Sequence, residues 1–409
     1  MRKVVKVKKL QKIVGKLVEA MFSISGAITT IAILLIVVFL FKEGFGLFSS
    51  PSVENGYVLC LNEKNPVQSL SSEDVRKVFD GEITNWKDVG GNNEEIKLYR
   101  IDDIFSVYSD EDLGEDYALL NEKLAEVIRA NKNIIAFLPQ KYAPTRKQDI
   151  KELKTGTISP TNFFAGKHWI PTATPSPLFG ALPLILGTLL VSLVAILIAL
   201  PLGLGVAIYL SEIANEKIRR IMKPTIEFLA AIPSVVYGFF GLVVLVPLVQ
   251  SGFGLSVGET AFTGSVILAI MALPTIITIA EDAIRNTPQS MREASLALGA
   301  TQWETIYRVV LPCSRSGVLA AVVLGVGRAI GETMAVLMIT GNAAVIPHSL
   351  FEPVRTIPAT ITAELGEALS GGTHYEALFM LGCVLFAITT IISVTAEMIS
   401  RRQLKTKEV

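Results

Sequence analysis

Long apolar runs alternate with polar stretches along this chain, and the length of the runs is the first clue. A helix crosses the hydrocarbon core of a bilayer with about 20 predominantly apolar residues. Residues 20–41 (AMFSISGAITTIAILLIVVFLF) form the first such run. After a long polar gap five more follow, over about 182–210, 225–249, 260–284, 316–340 and 374–399. The pattern predicts an all-α polytopic membrane protein of six transmembrane helices, with residues 42–181 inserted between the first and second. Pro201, Pro233 and Pro274, with Gly203, Gly205, Gly238 and Gly241 close by, lie in or near helices two to four. In membranes such residues permit kinks and close helix contacts, and together they suit helices that rearrange.

Charge placement gives the orientation. Segment 1–19 carries Arg2, Lys3, Lys6, Lys8, Lys9, Lys12 and Lys16 ahead of the first run. That run is too long for a signal-peptide core and no clean small-residue cleavage site follows it, so an uncleaved anchor with a cytoplasmic N-terminus is expected. The inside loops then hold Lys217, Arg219, Arg220 and Lys223; Arg292, Arg308 and Arg315; and Arg401, Arg402, Lys405 and Lys407. The outside loop 250–259 has no Lys or Arg, and 341–373 has only Arg355. This is the positive-inside distribution, and it places both termini in the cytoplasm of a multi-pass protein.

Composition narrows the class further. Hydrophobic residues are 51% and charged residues 18%, against roughly a quarter charged in soluble chains. The 37 basic and 37 acidic residues cancel, which excludes the basic excess a nucleic-acid partner requires. Cys60, Cys313 and Cys383 are far apart, fall in three different compartments and form no CxxC pair. His168, His348 and His374 are equally scattered. A disulfide framework or a metal site is not expected.

The 42–181 segment has a pattern of its own. Ser71–Val78 reads as a short helix capped by Ser71 or Ser72, Asp80-Gly81 and Gly90-Gly91 are turns, Glu122–Ala130 has helical period and Ile134–Leu138 reads as a buried strand. This predicts a compact extracytoplasmic α/β module, joined to helix two by a Pro/Thr/Ser-rich tether at Pro171–Pro177. Leu70–Gly91 (LSSEDVRKVFDGEITNWKDVGG) and Ile134–Tyr142 (IIAFLPQKY) resemble stretches of phosphate-binding solute receptors. Between the matching stretches those receptors carry an Arg…Ser-Gly-Thr phosphate loop. This chain has the acidic Ile101–Asp116 there (IDDIFSVYSDEDLGED), which would repel an oxyanion. The module is therefore expected to serve in docking or gating rather than in binding phosphate.

Loop 286–314 is the most informative connection. Thr287-Pro288 opens a short helix that runs to Leu298, Gly299 stops it, and Thr301-x-x-Glu304 is a capping box that opens a second helix ahead of Pro312. The result is an amphipathic elbow with Met291, Ala294 and Leu298 on one side, which could simply pack on its own bundle. The spacing also matches the EAA-x3-G-x9-I-x-LP loop of permease subunits of ATP-binding-cassette importers: Glu293-Ala294-Ser295, Gly299, Val309, Leu311-Pro312. Only Ser for Ala and Val for Ile depart. The resemblance implies the type I importer permease fold for 182–409 and a coupling loop seated on an ATPase subunit.

Arg328 lies 13 residues beyond Arg315, about 20 Å along a helix and deep in the bilayer, where arginine costs at least ~2.5 kcal/mol and usually faces a cavity or a partner. Glu332 is expected on the same face one turn on, as its ion-pair partner. The pair reads either as a neutralising bridge between helices or as part of an anion path, with Glu332 positioning the guanidinium or accepting a proton. Gly325, Gly327 and Gly331 are expected to leave room beside it. Arg328–Val336 (RAIGETMAV) and Ile232–Leu242 (IPSVVYGFFGL) resemble the PstC-type permease of high-affinity phosphate importers. That resemblance implies a substrate pathway at Arg328, Glu332 and Thr333, and a bacterial or archaeal cytoplasmic membrane as the location. It further implies a sister PstA-type permease, two ATPase subunits and an extracytoplasmic phosphate-binding protein as partners, with phosphate as substrate and membrane lipid around the helices. No GxxxxGK[ST] loop occurs, so the chain is expected to bind no cofactor, and ATP and Mg belong to the ATPase partner. A permease for molybdate or sulfate and a phosphate-sensing scaffold without transport are the alternatives.

Overall fold

The computed structural model describes residues 2–54, 56–144 and 149–405; Lys407, and the side chains of Arg2, Lys3, Lys6, Lys8, Lys9, Lys12, Arg401, Arg402 and Lys405, lie outside the described residues. Among the described residues five helices are long and apolar enough to cross a membrane: Val18–Ser49, Leu182–Ile213, Ser234–Phe253, Ala261–Arg285 and Thr373–Met398. The sixth candidate is a pair, Gln302–Cys313 and Arg315–Gly331, bent by 71°.

Two of the expected spans differ from the apolar pattern, each for a local reason. The third was expected over 225–249. An amphipathic helix, Glu216–Ala231, instead ends where Ile232 turns extended (ψ 128°), and a new helix begins at Ser234. Pro233 has no N–H to donate, and its ring drives the preceding residue out of the helical region. The fifth was expected to run unbroken over 316–340. Its helix stops at Gly331, Glu332 is extended (φ −71°, ψ 132°), and a short helix, Met334–Ile339, resumes beyond Thr333. Seventeen residues span about 25 Å at 1.5 Å each, short of the roughly 30 Å core, so this crossing is a broken one.

Helices Leu182–Ile208 and Ala261–Arg285 form the centre of the bundle, packed through Val191, Ala195, Ala199, Leu268, Ala272 and Ile276. Small residues set the spacing. A Cβ added at Gly203 would stand 2.8 Å from Ile276, and one at Gly325 2.6 Å from it. Ile276 therefore lies between the glycines of two neighbouring helices, a close approach that membrane bundles rely on where no hydrophobic effect drives helix association.

The inserted module is built on a sheet of β1 (Tyr57–Asn62), β2 (Lys97–Arg100), β3 (Ile134–Pro139) and β4 (Ile150–Glu152), in the order β2-β3-β1-β4. β1 runs antiparallel to β3 and β4, and β2 parallel to β3. Alternate residues of a strand point to opposite faces, and here both faces are covered. Leu59, Leu61, Ile135 and Phe137 pack with helix Ser72–Phe79 and Trp86; Cys60, Ala136 and Leu138 pack with helix Leu120–Ala130. Ser71 caps the first of these helices, its Oγ accepting from the Asp74 N–H at 3.2 Å.

The Pro171–Pro177 segment is not a free tether. It is the loop of a small hairpin, Trp169–Ile170 against Leu178–Phe179, and it is bound back to the module. Glu54 N–H donates to Pro175 O (3.0 Å) and Ser176 Oγ–H to Ser52 O (2.6 Å). Phe163, Trp169 and Phe179 then continue into the core of the spans with Leu184, Leu378 and Leu381.

Candidate functional site

The two sequence blocks singled out above meet in space. Each contains a helix break, at 232–233 and at 332–333, and the segments just beyond the breaks pack on one another. A Cβ at Gly238 would lie 2.8 Å from Met338 Sδ and 3.0 Å from Ala335 Cα; one at Gly241 would press on Ile267 and Ile339. Tyr237, Ile267, Met271, Ala335 and Ile339 form one cluster. The Tyr237 hydroxyl donates to Leu229 O at 2.8 Å across the first break, joining the Ile232 N–H (3.3 Å) on the carbonyl that Pro233 cannot serve.

Arg328, Glu332 and Thr333 stand at the second break, yet the expected Arg328–Glu332 ion pair is not formed. Arg328 Nη1 donates to Thr275 Oγ1 at 3.3 Å, just past Pro274 in the neighbouring helix. Glu332 Oε1 accepts from the Ala335 N–H at 3.3 Å and so caps the short helix. Thr333 Oγ1 donates to Gly331 O at 3.2 Å. The reason is backbone geometry: positions four apart share a face only while the helix continues, and this helix stops at Gly331. Among the described residues, no carboxylate lies within ion-pair distance of Arg328. Gly327 and Gly331 do border open space, with nothing within 4 Å of an added Cβ. Gly325 does not; Ile276 fills that position.

The elbow forms as its signals indicate. Helix Gln289–Ala297 is followed by Gly299 in the left-handed region (φ +86°), and both hydrogen bonds of the Thr301–Glu304 capping box are present. Those bonds hold the Glu304 carboxyl below its ordinary range, the backbone N–H of Thr301 contributing most. Ser295, the departure from the importer-loop pattern, exchanges a 2.9 Å hydrogen bond with Thr305 that closes the elbow. Glu293, Ala294 and Gly299 are exposed, while Leu311 packs against Ala280, Ile284 and Val310. The helix does not fold its apolar side onto its own bundle: Leu298 is 90% exposed, and Met291, Leu296, Trp303 and Tyr307 are also exposed.

One anchoring residue was not found by sequence reasoning. Glu212, at the end of the second span, grips Arg292 through Oε1–Nη2 (2.8 Å) and Oε2–Nε (3.3 Å). Arg292 also donates to Thr287 O and Ile284 O, and Gln302 donates to Glu212 O. This strut fixes the elbow to the bundle. A second link joins Lys223 to Glu281 (2.8 Å) and Asp282 (3.0 Å), and the bond to Glu281 raises the Lys223 ammonium above its ordinary value. Nothing but a charge of the right sign in the cytoplasmic-loop pattern pointed to either. Among the described residues no cluster of His, Cys, Asp and Glu could hold a metal.

A bundle with two facing broken helices and an exposed amphipathic elbow defines the class of substrate-translocating membrane subunits. Residues 199–405 match the family described as binding-protein-dependent transport system inner membrane component, and the chain belongs to that family. Within it the chain is of the PstC type. It is 37% identical over 265 residues to the phosphate transport system permease protein PstC of Haemophilus influenzae (60% of this chain, 82% of that one). It is 40% identical over 255 residues to PstC of Mesorhizobium japonicum (58% and 77%). Residues 39–166 match a second family, a PBP superfamily domain. An inward-facing structure of the MetNI methionine ABC transporter aligns over 54% of this chain and 94% of its own, at 21% identity and TM-score 0.43.

Proposed function

We propose that the chain is the permease subunit of an ATP-driven importer of inorganic phosphate, and that Arg328, Glu332 and Thr333 lie on the substrate path. One observation carries the reading: a cation set at the broken fifth crossing with, among the described residues, a single 3.3 Å hydrogen bond and no acidic partner. A guanidinium has five N–H donors in a planar fork suited to tetrahedral oxyanions. A lone arginine at membrane depth is costly unless a partner or a cavity compensates it, and no chain atom lies within 4 Å of a Cβ added at Gly327 or Gly331 beside it. Glu332, engaged with the backbone, holds the break in shape and remains close enough in sequence to orient the path. The phosphate-permease relatives support the choice of oxyanion; a molybdate or sulfate permease and a non-transporting sensor are the lesser readings.

In this reading the chain binds no cofactor. Two partner ATPases hydrolyse ATP with Mg, and the elbow formed around Glu293, Ala294, Gly299, Leu311 and Pro312 couples them to a pair of permeases, this chain and a PstA-type sister. An extracytoplasmic phosphate-binding protein delivers substrate on the side of the 42–181 module, and both termini are cytoplasmic. The module itself docks or gates rather than binding phosphate.

The test is uptake of labelled phosphate into vesicles carrying the assembled transporter. Arg328→Gln is expected to abolish uptake while leaving the protein inserted and assembled. Undiminished phosphate uptake in that variant refutes the assignment, and uptake of molybdate or sulfate instead of phosphate by the unaltered protein selects the other permease reading.

A further inference from the structure

A second polar cluster, remote from Arg328, joins the inserted module to the spans. Glu364 ends the short helix Ile357–Glu364, and three donors converge on its carboxylate. Arg355 Nη1 reaches Oε1 at 2.8 Å; Trp169 Nε1 reaches Oε2 at 2.9 Å; His374 Nε2 lies 2.9 Å from the same oxygen. The cluster is largely enclosed, with the Arg355 and Glu364 side chains 17% and 13% exposed, and the Phe179 ring stacks on His374 at 6.2 Å. Trp169 and Phe179 belong to the module hairpin. Arg355, Glu364 and His374 belong to the segments that follow the broken helix.

From this node a continuous set of bonds leads to the break. Two residues after Arg355 comes Ile357, whose N–H donates to Thr188 Oγ1 of the second span at 2.9 Å, and just before it is Val354, whose N–H donates to Thr340 O at 2.8 Å. Thr340 terminates helix Met334–Ile339, and Glu332 caps the other end of that helix. Val354, Ile357 and Thr340 are fully buried. Packed interiors are stiff and switch between discrete arrangements instead of deforming smoothly, so a rigid displacement at one end of this set is felt at the other.

The node also has a second arrangement available. Arg355 Nε is buried with no acceptor, although a guanidinium can hold both oxygens of a carboxylate at once. Trp169 and His374 occupy the oxygen it would need. If Trp169 withdraws, the guanidinium can turn its Nε–Nη2 edge onto the carboxylate, so that Oε2 takes the orphaned N–H and the pair becomes bidentate.

We propose that Glu364 is a positioning residue forming a two-position latch. With Trp169 on Oε2 the module is clamped to the segment that follows the broken fifth crossing. With Trp169 released and Arg355 bidentate, the segment is freed to move. The latch makes the position of the module a determinant of the geometry at Glu332 and Thr333, and it rests on the transport reading only in what that geometry controls.

The test uses the full chain and the full complex. Hydrogen exchange on the detergent-solubilised full chain reads the latch without transport. Trp169→Phe, which keeps an aromatic ring and removes the N–H donor, is expected to speed exchange of the Val354 amide at least tenfold while the core of helix Ala261–Arg285 is unchanged. Glu364→Gln is expected to act alike, and the double variant to add nothing, since both release the same latch. Exchange at Val354 within twofold of the unaltered chain, or fully additive effects, overturns the proposal. In the reconstituted complex with its phosphate-binding protein, Trp169→Phe is expected to lower phosphate moved per ATP at least threefold with ATP hydrolysis maintained. An unchanged ratio also overturns it. If the unaltered complex moves no phosphate, the transport reading fails by itself, and the exchange experiment still decides the latch.

Discussion

Leu298→Ala tests whether the elbow is a docking surface. Leu298 is 90% exposed in this chain, so its apolar surface is almost entirely in water. Shortening it to alanine removes three carbons' worth of apolar side chain, about 2.4 kcal/mol if fully buried at ~0.8 kcal/mol per carbon. With nine-tenths already exposed, only about 0.2 kcal/mol of that is at stake in the chain itself, inside the roughly ±0.5 kcal/mol of ordinary surface substitutions. If an ATPase groove covers the residue, the whole ~2.4 kcal/mol is lost from the complex, about 50-fold in affinity at 1.4 kcal/mol per decade. Titration of purified ATPase onto the permease pair in nanodiscs measures the affinity, and thermal unfolding of the permease measures the chain. Affinity unchanged within threefold, or a melting temperature lowered by several degrees, refutes the reasoning.

Gly299→Glu places a side chain at φ +86°, which costs about 1–2 kcal/mol, but nothing in the chain lies within 4 Å of the new Cβ. The variant should insert normally and lose phosphate uptake while ATP hydrolysis continues; intact uptake in a transport assay contradicts it. Gly325→Val drives a Cβ to 2.6 Å from Ile276, which Gly203 confines on the other side. A destabilisation of about 1–3 kcal/mol is expected, seen as a lower melting temperature and recovered by Ile276→Ala; lack of recovery refutes the packing argument. At Glu364 burial works to raise the carboxyl, but hydrogen bonds from His374 and Trp169 and the Arg355 charge outweigh it, so the group lies below its ordinary 4.5. The stability it contributes is complete above that value and lost as pH falls through the lowered one. The melting-temperature gap between the unaltered chain and Glu364→Gln should therefore be steady above pH 4.5 and narrow as the pH falls below it, and a constant gap is the contrary result.

The long apolar runs made the first, second, fourth and sixth crossings legible, because twenty-odd apolar residues have few other uses. Local chemistry was equally plain at Ser71, Gly299 and Thr301–Glu304, where caps act within three or four residues. What escaped was either non-local or a matter of backbone continuity. Glu212 and Arg292 are 80 residues apart, and no periodicity relates them. The Pro171–Pro177 stretch has the composition of a linker and is held to the module by bonds to Ser52 and Glu54, more than 100 residues away in sequence. Pro233 was visible, but a proline signals a kink or a full break alike, and the apolar residues on both sides hid which.

The break at Glu332 is the instructive case, since Arg328–Val336 contains no proline and remains apolar enough to continue as helix. Such a break in a membrane is tolerated where the freed backbone groups find partners or border a cavity. Here Glu332 accepts the Ala335 N–H and Thr333 donates to the Gly331 carbonyl, so the two polar residues of the motif serve the interruption itself. With the helix ended at Gly331, the acid no longer shares a face with the arginine four residues earlier. The same event that ends the helix therefore leaves Arg328, among the described residues, bonded to Thr275 without a carboxylate, and in the proposed reading it is the loss of the expected ion pair, rather than its presence, that suits this position to an anion.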